Sequence, residues 1–477
     1  MESIWSKTCK FKKRSSLNGD IQTEAAVIGG GMAGILTAYQ LQNAGIKTVV
    51  LEAQTVGSGQ TQNTTAKITS QHGRIYDRLI EEKGKEKAGK YFQANQKAVE
   101  EYQRIIDLEQ ISCDFERISA YVYSQNEDQL KKEAEAAVSL GASASYVKHI
   151  EIPIACAGAV KFENQAQFHP LKFLKALAEK LEIYEYTPVK TVEEQTIITD
   201  KGKVSANYII FATHYPFLNY PGLYFTRLHQ ERSYVLALEQ AGSLSGMYIG
   251  DGADAYSFRS YGRYLLLGGQ GHRTGENREG EKYEHLRLVA KQYYPQSREI
   301  ACWSAQDCIS GDQIPFIGEY AAGHPGWFVA TGFQKWGMTS SMVAATMLRD
   351  RICNVDNPYA NTFSPSRFST AEMFQIVQDS AKAVKGLAKR FFQIPAETAK
   401  SLQAGHGGIV ECEGEKAGVY KNKQGELFAV DIRCPHLGCQ LTWNPDEKTW
   451  DCPCHGSRFD YHGNLLEGPA QEGIGGK

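Results

Sequence analysis

The sequence predicts an α/β fold in two unequal parts, a large two-lobed unit followed by a small all-β module. A strand, a glycine-rich turn, a helix and a second strand open the large unit between residues 24 and 53. Short strands and turns then alternate with helical stretches, so helical and sheet layers are interleaved. Beyond residue 405 the chain turns to short strands and tight turns, which are typical of a small β module.

The composition describes a globular protein of several units. Its 477 residues exceed one ordinary domain and suggest about three. Apolar residues make up 42% and charged residues 22%, and the net charge of -2 does not favour a nucleic-acid partner. No stretch approaches the ~20 apolar residues that span a bilayer, and the N-terminus lacks the apolar core of a signal peptide. We therefore expect a cytoplasmic protein.

Three segments are expected along the chain. Residues 20–368 form the large unit, with a substrate lobe at roughly 76–150 and 225–300. Proline, asparagine and serine accumulate at its end. Residues 369–404 read as a linker helix with an apolar stripe and several basic residues, and residues 405–477 form the β module. The linker either packs on the large unit, which is favoured, or rests on a membrane surface as a basic amphipathic helix.

The hexapeptides CPHLGC and CPCHGS near the C-terminus indicate an iron–sulfur centre. Cys434 and His436 come from the first loop, and Cys452 and His455 come from the second. Two thiolates and two imidazoles are the ligands of a Rieske 2Fe-2S cluster. The same four residue types also suit tetrahedral zinc, but zinc fingers pair Cys with Cys and His with His. Because each loop here mixes the two, the pattern favours iron.

These loops resemble those of the Rieske proteins in respiratory and photosynthetic quinol-oxidising complexes, over about the last seventy residues. The resemblance implies a disulfide between Cys439 and Cys454. It also implies that the hydroxyl of Ser457 donates a hydrogen bond to a cluster sulfur. Two reduced thiols are the alternative, since cytosolic disulfides are rare. Phe459 stands where those proteins place a tyrosine that hydrogen-bonds a ligand sulfur. The absence of that hydrogen bond should lower the reduction potential somewhat.

A second motif predicts a dinucleotide site near the N-terminus. Gly29, Gly31 and Gly34 form G-x-G-x-x-G between a strand and a helix, where a pyrophosphate can reach the helix N-terminus. Glu52 ends the next strand, where a carboxylate would accept the ribose hydroxyls. The alternative is a glycine-rich turn with a surface glutamate. The motif alone does not distinguish FAD from NAD.

The large unit resembles the D-amino-acid oxidase and glycine oxidase superfamily of FAD enzymes, over roughly residues 20–350. The segments NTTAK, GDQIPFIG and ATGFQKWGMT carry this resemblance. It implies a Rossmann-like FAD-binding domain with an interleaved substrate-binding sheet domain. Noncovalent FAD is expected rather than attachment to His72. Beyond the glycines and Glu52, the resemblance implies contacts with FAD at Thr64, Thr65, Val189, Asp312, Gly337, Met338 and Thr339.

One position departs from that superfamily and bears on the substrate. Glycine oxidase-like enzymes place an arginine five residues before the aspartate of D-x-x-P, and this chain has Asp307 there. A carboxylate at that position repels a substrate carboxylate, so we expect an amine-like or neutral small molecule. Asp307, His272, Arg259 and Tyr256 are candidate catalytic residues, and the sequence does not choose among them.

Together these features predict an FAD-dependent oxidoreductase that passes electrons from flavin through a Rieske cluster to an unidentified acceptor. By resemblance, the imidazoles of His436 and His455 face solvent. A small domain on a linker can also approach the flavin and then swing away. Two alternatives stay open. One is a redox-sensing or electron-carrier protein without an organic substrate, and the other is a Rieske-fed oxygenase. No local set of two histidines and one carboxylate suggests itself for the oxygenase iron.

Purified protein should contain iron and acid-labile sulfide in equal amounts together with FAD, because both sites are complete in the sequence. Cys434→Ser should abolish the cluster and leave FAD bound, since the flavin motifs lie elsewhere in the chain. Metal analysis and visible spectra of anaerobically prepared protein measure both. Stoichiometric zinc in place of iron would contradict the assignment.

Overall fold

The computed structural model describes residues 2–252, 255–367, 402–412 and 415–475. The predicted linker helix lies outside these ranges except for residues 402–404, which form no helix. Within the described ranges, every helix is too short or too polar to cross a bilayer. The predicted fold class is confirmed: an α/β unit with two large sheets precedes an all-β domain.

Strands dominate the chain, and we number them in chain order. The large unit contains β1 Ile21–Ile28, β2 Thr48–Leu51, β3 Lys67–Ile68, β4 Glu116–Ser124, β5 Ala144–Val147, β6 Gly158–Gln167, β7 Glu182–Tyr184, β8 Val189–Glu193, β9 Thr196–Thr199, β10 Gly202–Phe211, β11 Leu228–Glu239, β12 Gly246–Gly250, β13 Ser257–Tyr261, β14 Tyr264–Arg273, β15 Arg298–Ser310, β16 Phe316–Glu319 and β17 Trp327–Thr331. The C-terminal domain contains β18 Gly407–Cys412, β19 Glu415–Lys421, β20 Leu427–Val430, β21 Thr442–Asn444, β22 Thr449–Asp451, β23 Arg458–Asp460 and β24 Leu465–Glu467.

Helices cover the sheets of the large unit. They are α1 Ile4–Thr8, α2 Met32–Asn43, α3 Tyr76–Lys83, α4 Lys85–Glu109, α5 Glu127–Ser139, α6 Pro170–Ala178, α7 Lys282–Tyr293, α8 Gly337–Ile352 and α9 Ala360–Phe363, with short 3-10 turns at Gln60–Asn63 and Tyr224–Thr226. Helix α2 ends where the sequence indicates, just before Gly45, whose φ of 84° suits glycine. It packs against α8 and is buried along most of its length.

The first sheet is the predicted dinucleotide-binding sheet. Its order is β16-β17-β10-β1-β2-β7, with β9 paired to β10 and β8 to β9. The strands β17, β10, β1, β2 and β7 run parallel. Residues 25–28 of β1 are fully buried, as expected of a parallel strand covered on both faces. The carboxyl ends of β1, β2 and β10 therefore meet at one edge, where ligands bind in such sheets.

The second sheet has nine strands in the order β15-β11-β14-β13-β12-β4-β6-β3, with β5 paired to β6. Its strands are antiparallel apart from the pair β4 and β12. It extends beyond the predicted substrate lobe, since it includes residues 158–167 and continues to residue 310. In the register of β11 with β15, Arg232 pairs with Gln306. Because side chains alternate along a strand, Gln230 and Arg232 lie on the same face of β11.

The C-terminal domain consists of two small sheets, β18-β19-β20 and β21-β22-β23-β24. Trp450, Phe459 and Val430 are almost fully buried in its core. The first predicted ligand loop connects β20 to β21, and the second connects β22 to β23. The core therefore brings the two loops to the same end of the domain.

Candidate flavin cavity and iron–sulfur centre

The glycine motif forms a tight turn against a neighbouring strand. Gly29 has a φ of 112°, and a Cβ there would collide with the carbonyl oxygen of Ala212. A Cβ on Gly34 would collide with the carbonyl of Gly29. Glu52 accepts hydrogen bonds from the backbone N–H of Gly30 at 2.6 Å and of Gln54 at 2.7 Å, while burial raises its pKa. Only glycine fits this turn, as a dinucleotide site requires.

A cavity of about 700 Å³ runs from this turn towards the second sheet. The sequence-predicted residues that line it are Gly29, Gly31, Glu52, Thr64, Thr65, Val189, Gly337 and Met338. The N-terminus of α8 thus opens on the cavity, where its positive end favours negative charge. A long cavity that joins a dinucleotide turn to a helix N-terminus fits FAD. The individual contacts with FAD stay predictions.

Three of the predicted residues do not line this cavity. Gly34 closes the turn behind Gly29. Asp312 is buried and pairs with Arg367 at 2.9 Å, so it fastens the end of the large unit. Thr339 donates a hydrogen bond to the carbonyl of Thr69 at 3.1 Å. Asp312 and Thr339 therefore hold neighbouring parts of the chain together without lining the cavity.

The loop at residues 63–66 is held by long-range hydrogen bonds to its carbonyl oxygens. Trp5 donates to it at 2.7 Å and Trp303 at 2.9 Å. Arg259 donates to two of its carbonyls at 2.7 and 2.6 Å and to the carbonyl of Phe168 at 3.1 Å. Arg259 is fully buried and does not line the cavity. Sequence reasoning missed this supporting role because its partners are more than 90 residues away.

Of the other three candidate catalytic residues, two line the cavity and one does not. Asp307 and Tyr256 line the cavity. His272 does not, and its Nε2 lies 3.0 Å from the hydroxyl of Tyr234, which does. Burial lowers the pKa of His272. His272 therefore contacts a cavity-lining residue, Tyr234, without lining the cavity itself.

Asp307 is not an isolated charge. Its carboxylate lies 3.3 Å from the ammonium of Lys335, which also contacts Glu231 at 3.1 Å. Burial raises the pKa of Asp307. The pKa of Glu231 is lowered to about 2, chiefly by His229 and in addition by Lys335. One cation thus serves two carboxylates, of which Asp307 lines the cavity.

His72 lies outside the cavity and is buried. Its Nδ1 lies 2.6 Å from the hydroxyl of Tyr91, and its Nε2 lies 2.8 Å from the carbonyl of Thr69. Its ring stacks on Trp336 with centroids 4.7 Å apart. Burial lowers the pKa of His72 to about 3, so the ring is neutral. Both nitrogens have hydrogen-bond partners, and noncovalent FAD stays a prediction.

Two residues that the sequence did not single out lie at the cavity. His214 lines it just beyond the carboxyl end of β10, and burial lowers its pKa. Lys67 donates to Ser257 at 2.6 Å and to Thr65 at 3.3 Å, and both of these residues line the cavity. Burial, together with the charge of Arg259, lowers the pKa of Lys67 to about 7. The place of His214 at a parallel strand end was a usable signal, whereas the burial of Lys67 depends on tertiary packing.

The two ligand loops have matching backbone geometry. In the first loop Cys434 N–H donates to the carbonyl of Cys439 at 2.9 Å, and in the second Cys452 N–H donates to that of Ser457 at 2.8 Å. Gly438 and Gly456 close the turns, with φ of 77° and 83°. The two loops therefore place Cys434 and Cys452 at equivalent positions of similar turns.

The side chains around this site fit a Rieske cluster. Cys434 and Cys452 are buried, and Cys439 and Cys454 are joined by a disulfide. The hydroxyl oxygen of Ser457 accepts the N–H of Ala470 at 2.9 Å, which leaves its hydrogen available for a sulfur.

The two predicted histidine ligands meet at the same site. The rings of His436 and His455 have centroids 4.8 Å apart. Nδ1 of His436 is buried and makes no hydrogen bond within the described ranges, as a nitrogen reserved for iron would. The two imidazoles therefore lie side by side, and the set of four ligands stays a prediction.

The imidazoles do not face solvent as the resemblance implied. His455 is 6% exposed and His436 is half-buried, because the flavin domain covers them. Gln230 of β11 donates to the backbone carbonyl of His455 at 2.6 Å, and Gln306 of β15 donates to that of Gly456 at 2.9 Å. Both glutamines also line the cavity. The cluster loops are therefore docked on the outer side of the cavity wall.

A buried charge network fastens the two domains together. Arg232 of β11 is 1% exposed and contacts Glu447 at 2.7 Å and Glu467 at 3.2 Å, both from the C-terminal domain. Arg458 contacts the same two carboxylates, at 3.1 and 3.2 Å. Burial alone would raise the pKa of Glu447, but the two guanidinium groups lower it from 4.5 to about 2. The ionised Glu447 therefore stabilises the folded protein above pH 4.5, and this contribution is lost as the pH falls towards 2.

The C-terminal domain also completes the cavity. Residues 465–471, which follow β23, contribute to its lining. Gln60 donates to Glu467 at 2.8 Å across the interface. Departure of the domain would open the cavity, and the expected movement of the domain stays a prediction.

Comparison with known proteins agrees with this two-part architecture. The family model described as FAD dependent oxidoreductase matches residues 24–351, and the one described as Rieske [2Fe-2S] domain matches residues 393–475. The chain thus belongs to the FAD dependent oxidoreductase family and carries a C-terminal Rieske domain. The predicted cofactors, FAD and a 2Fe-2S cluster, are confirmed, and the zinc alternative is set aside.

Individual relatives cover either the whole chain or one of its parts. YhfW of Bacillus subtilis (strain 168), named as a Rieske 2Fe-2S iron-sulfur protein, is 38% identical over 98% of this chain and 96% of its own. Cytochrome b6-f complex iron-sulfur subunit 2 of Nostoc sp. (strain PCC 7120) is 32% identical over 23% of this chain and 66% of its own. The crystal structure of glycine oxidase from Geobacillus kaustophilus superposes with a TM-score of 0.62 at 18% identity, and covers 73% of this chain and 99% of its own. That last likeness concerns the fold.

Replacing Arg232 should loosen the Rieske domain. Arg232→Met leaves Glu447 and Glu467 buried with a single guanidinium, and removing one partner of a buried ion pair costs about 3–5 kcal/mol. Calorimetry should show the Rieske domain melting separately and at lower temperature than in the parent. A single transition at the parental temperature would contradict the role of this network.

Arg298→Met is the matched control. Arg298 lies on β15 and pairs with Glu239 at 2.8 Å, but its side chain is 73% exposed. Exposed pairs contribute about 0–1 kcal/mol, so melting should change little.

Proposed function

We propose that this protein oxidises a small amine-like or neutral substrate at FAD and delivers the electrons through its Rieske centre to an external acceptor. When bound, FAD supplies a hydride acceptor and the Rieske cluster supplies a one-electron acceptor of raised potential. The residues of the chain hold these two groups on opposite sides of one wall.

The observation that carries this proposal is the docking of the cluster loops on the cavity wall. Gln230 lines the cavity and contacts the backbone of His455, a predicted cluster ligand. Gln306 does the same next to it, through Gly456. A wall one side chain thick supports electron passage within a single molecule, without diffusion of a carrier.

The charges of the wall support an amine-like or neutral substrate. Lys335 lines the cavity but already contacts Asp307 and Glu231. A substrate carboxylate would have to compete with both for that cation, and it would be repelled by Asp307. An amine or an uncharged group meets neither penalty.

The external acceptor and the location of the protein complete the proposal. We infer a cytoplasmic protein that meets its acceptor without lying on a membrane, since the composition favours neither nucleic acid nor lipid. The histidine side of the cluster is occupied by the flavin domain. The acceptor therefore approaches from another side, or after the domain has moved.

A substrate screen tests the proposal. Loaded protein is mixed anaerobically with small amines, alcohols and amino acids, and flavin absorbance and the Rieske EPR signal are followed together. We expect an amine or neutral compound to bleach the flavin while the EPR signal grows. Glycine and D-alanine should be at least ~10-fold slower, a difference of about 1.4 kcal/mol in the barrier.

Two results would contradict the proposal in different ways. Rapid bleaching by glycine or D-alanine would refute the substrate class. Bleaching without reduction of the cluster would refute the relay. Asp307→Arg is the informative variant, because a cation in place of the carboxylate should improve the binding of small amino acids.

A further inference from the structure

We propose that Asn219 of the flavin domain fixes which ring nitrogen of His436 is left for iron, and thereby lowers the reduction potential of the Rieske centre. Asn219 is thus a positioning residue that acts through a cluster ligand. The inference deepens the proposed relay and rests on it for its purpose, but its test needs neither substrate nor turnover.

Asn219 belongs to the loop that follows β10. Residues 212–215 and 217 of this loop line the cavity, and Asn219 reaches the Rieske domain. The side-chain oxygen of Asn219 lies 2.5 Å from Nε2 of His436. Contacts from one loop therefore reach both the cavity and a predicted ligand.

The chemistry of this contact assigns the hydrogen. An amide oxygen only accepts hydrogen bonds, so Nε2 of His436 must carry the hydrogen. Nδ1 then has a free lone pair, and it is buried without a hydrogen bond in the described part of the chain. The partner of one ring nitrogen sets the role of the other. Asn219 thus prepares Nδ1 as the iron ligand.

Phe225, at the other end of the same loop, holds the rings in place. Its edge packs against His436 at 6.3 Å and against His455 at 5.8 Å between ring centroids, with interplanar angles of 81° and 86°. Rotation of either imidazole would break this packing. Asn219 and Phe225 together form what we call the histidine clamp.

The clamp has an electronic consequence. An acceptor on the distal N–H of a ligating histidine makes the imidazole a stronger donor to the metal. A stronger donor favours the oxidised iron, so the contact lowers the reduction potential. Removing the acceptor should raise the potential, and replacing it by a negative charge should lower it further.

The test is a redox titration of the cluster, monitored by EPR, in full-length protein loaded with both cofactors. The potential of Asn219→Leu should lie above that of the parent, and the potential of Asn219→Asp should lie below it. Tyr220→Leu is the matched control, because Tyr220 is the next residue in the loop and is 77% exposed. Its potential should equal that of the parent.

Opposite shifts in the two variants support the proposal, because loss of packing alone would not reverse sign with the charge of the acceptor. Equal potentials, or shifts in the same direction, overturn it. If Asn219→Leu does not retain its cluster, Asn219→Asp decides alone, and a potential at or above the parental value overturns the proposal. The substrate screen remains a separate test, since no substrate enters this titration.

Discussion

The arrangement of this protein depends on the burial of one guanidinium group. Arg232 projects from β11, the strand next to the edge strand β15 of the second sheet, and is almost completely removed from solvent. A buried cation without partners is costly, and Glu447 and Glu467 of the Rieske domain supply the partners that the network needs. Docking of the Rieske domain is therefore coupled to the integrity of the large sheet.

Docking has two consequences for chemistry. Residues 465–471 of the Rieske domain line the cavity, and Gln230 and Gln306 contact both the cavity and the second cluster loop. The histidine side of the cluster faces inwards, where Asn219 and Gln230 contact it. In the proposed relay, substrate is oxidised at the cavity, and the acceptor approaches the cluster from another side or after the domain has moved.

Local sequence patterns predicted the parts of the site that depend on local geometry. The spacing of Gly29, Gly31 and Gly34 requires a tight turn, and that turn is present. The two cysteine and histidine loops fold as similar turns because each carries a glycine at the required left-handed position.

Other features depend on contacts between distant parts of the chain, and the sequence did not predict them. Arg259 supports a loop more than 190 residues away, and Asn219 meets His436 across 217 residues. Asp312 was assigned to FAD by resemblance, but its carboxylate faces Arg367. Likewise, nothing local in Glu447 or Arg232 indicates that they pair.

The central claim is that electrons pass between flavin and cluster within one docked molecule. Flash photolysis with deazaflavin injects single electrons without a substrate, and the absorbance of the flavin and the cluster then reports their redistribution. The account predicts a first-order rate that stays constant over about a tenfold range of protein concentration and falls in Arg232→Met. A rate proportional to protein concentration would contradict it.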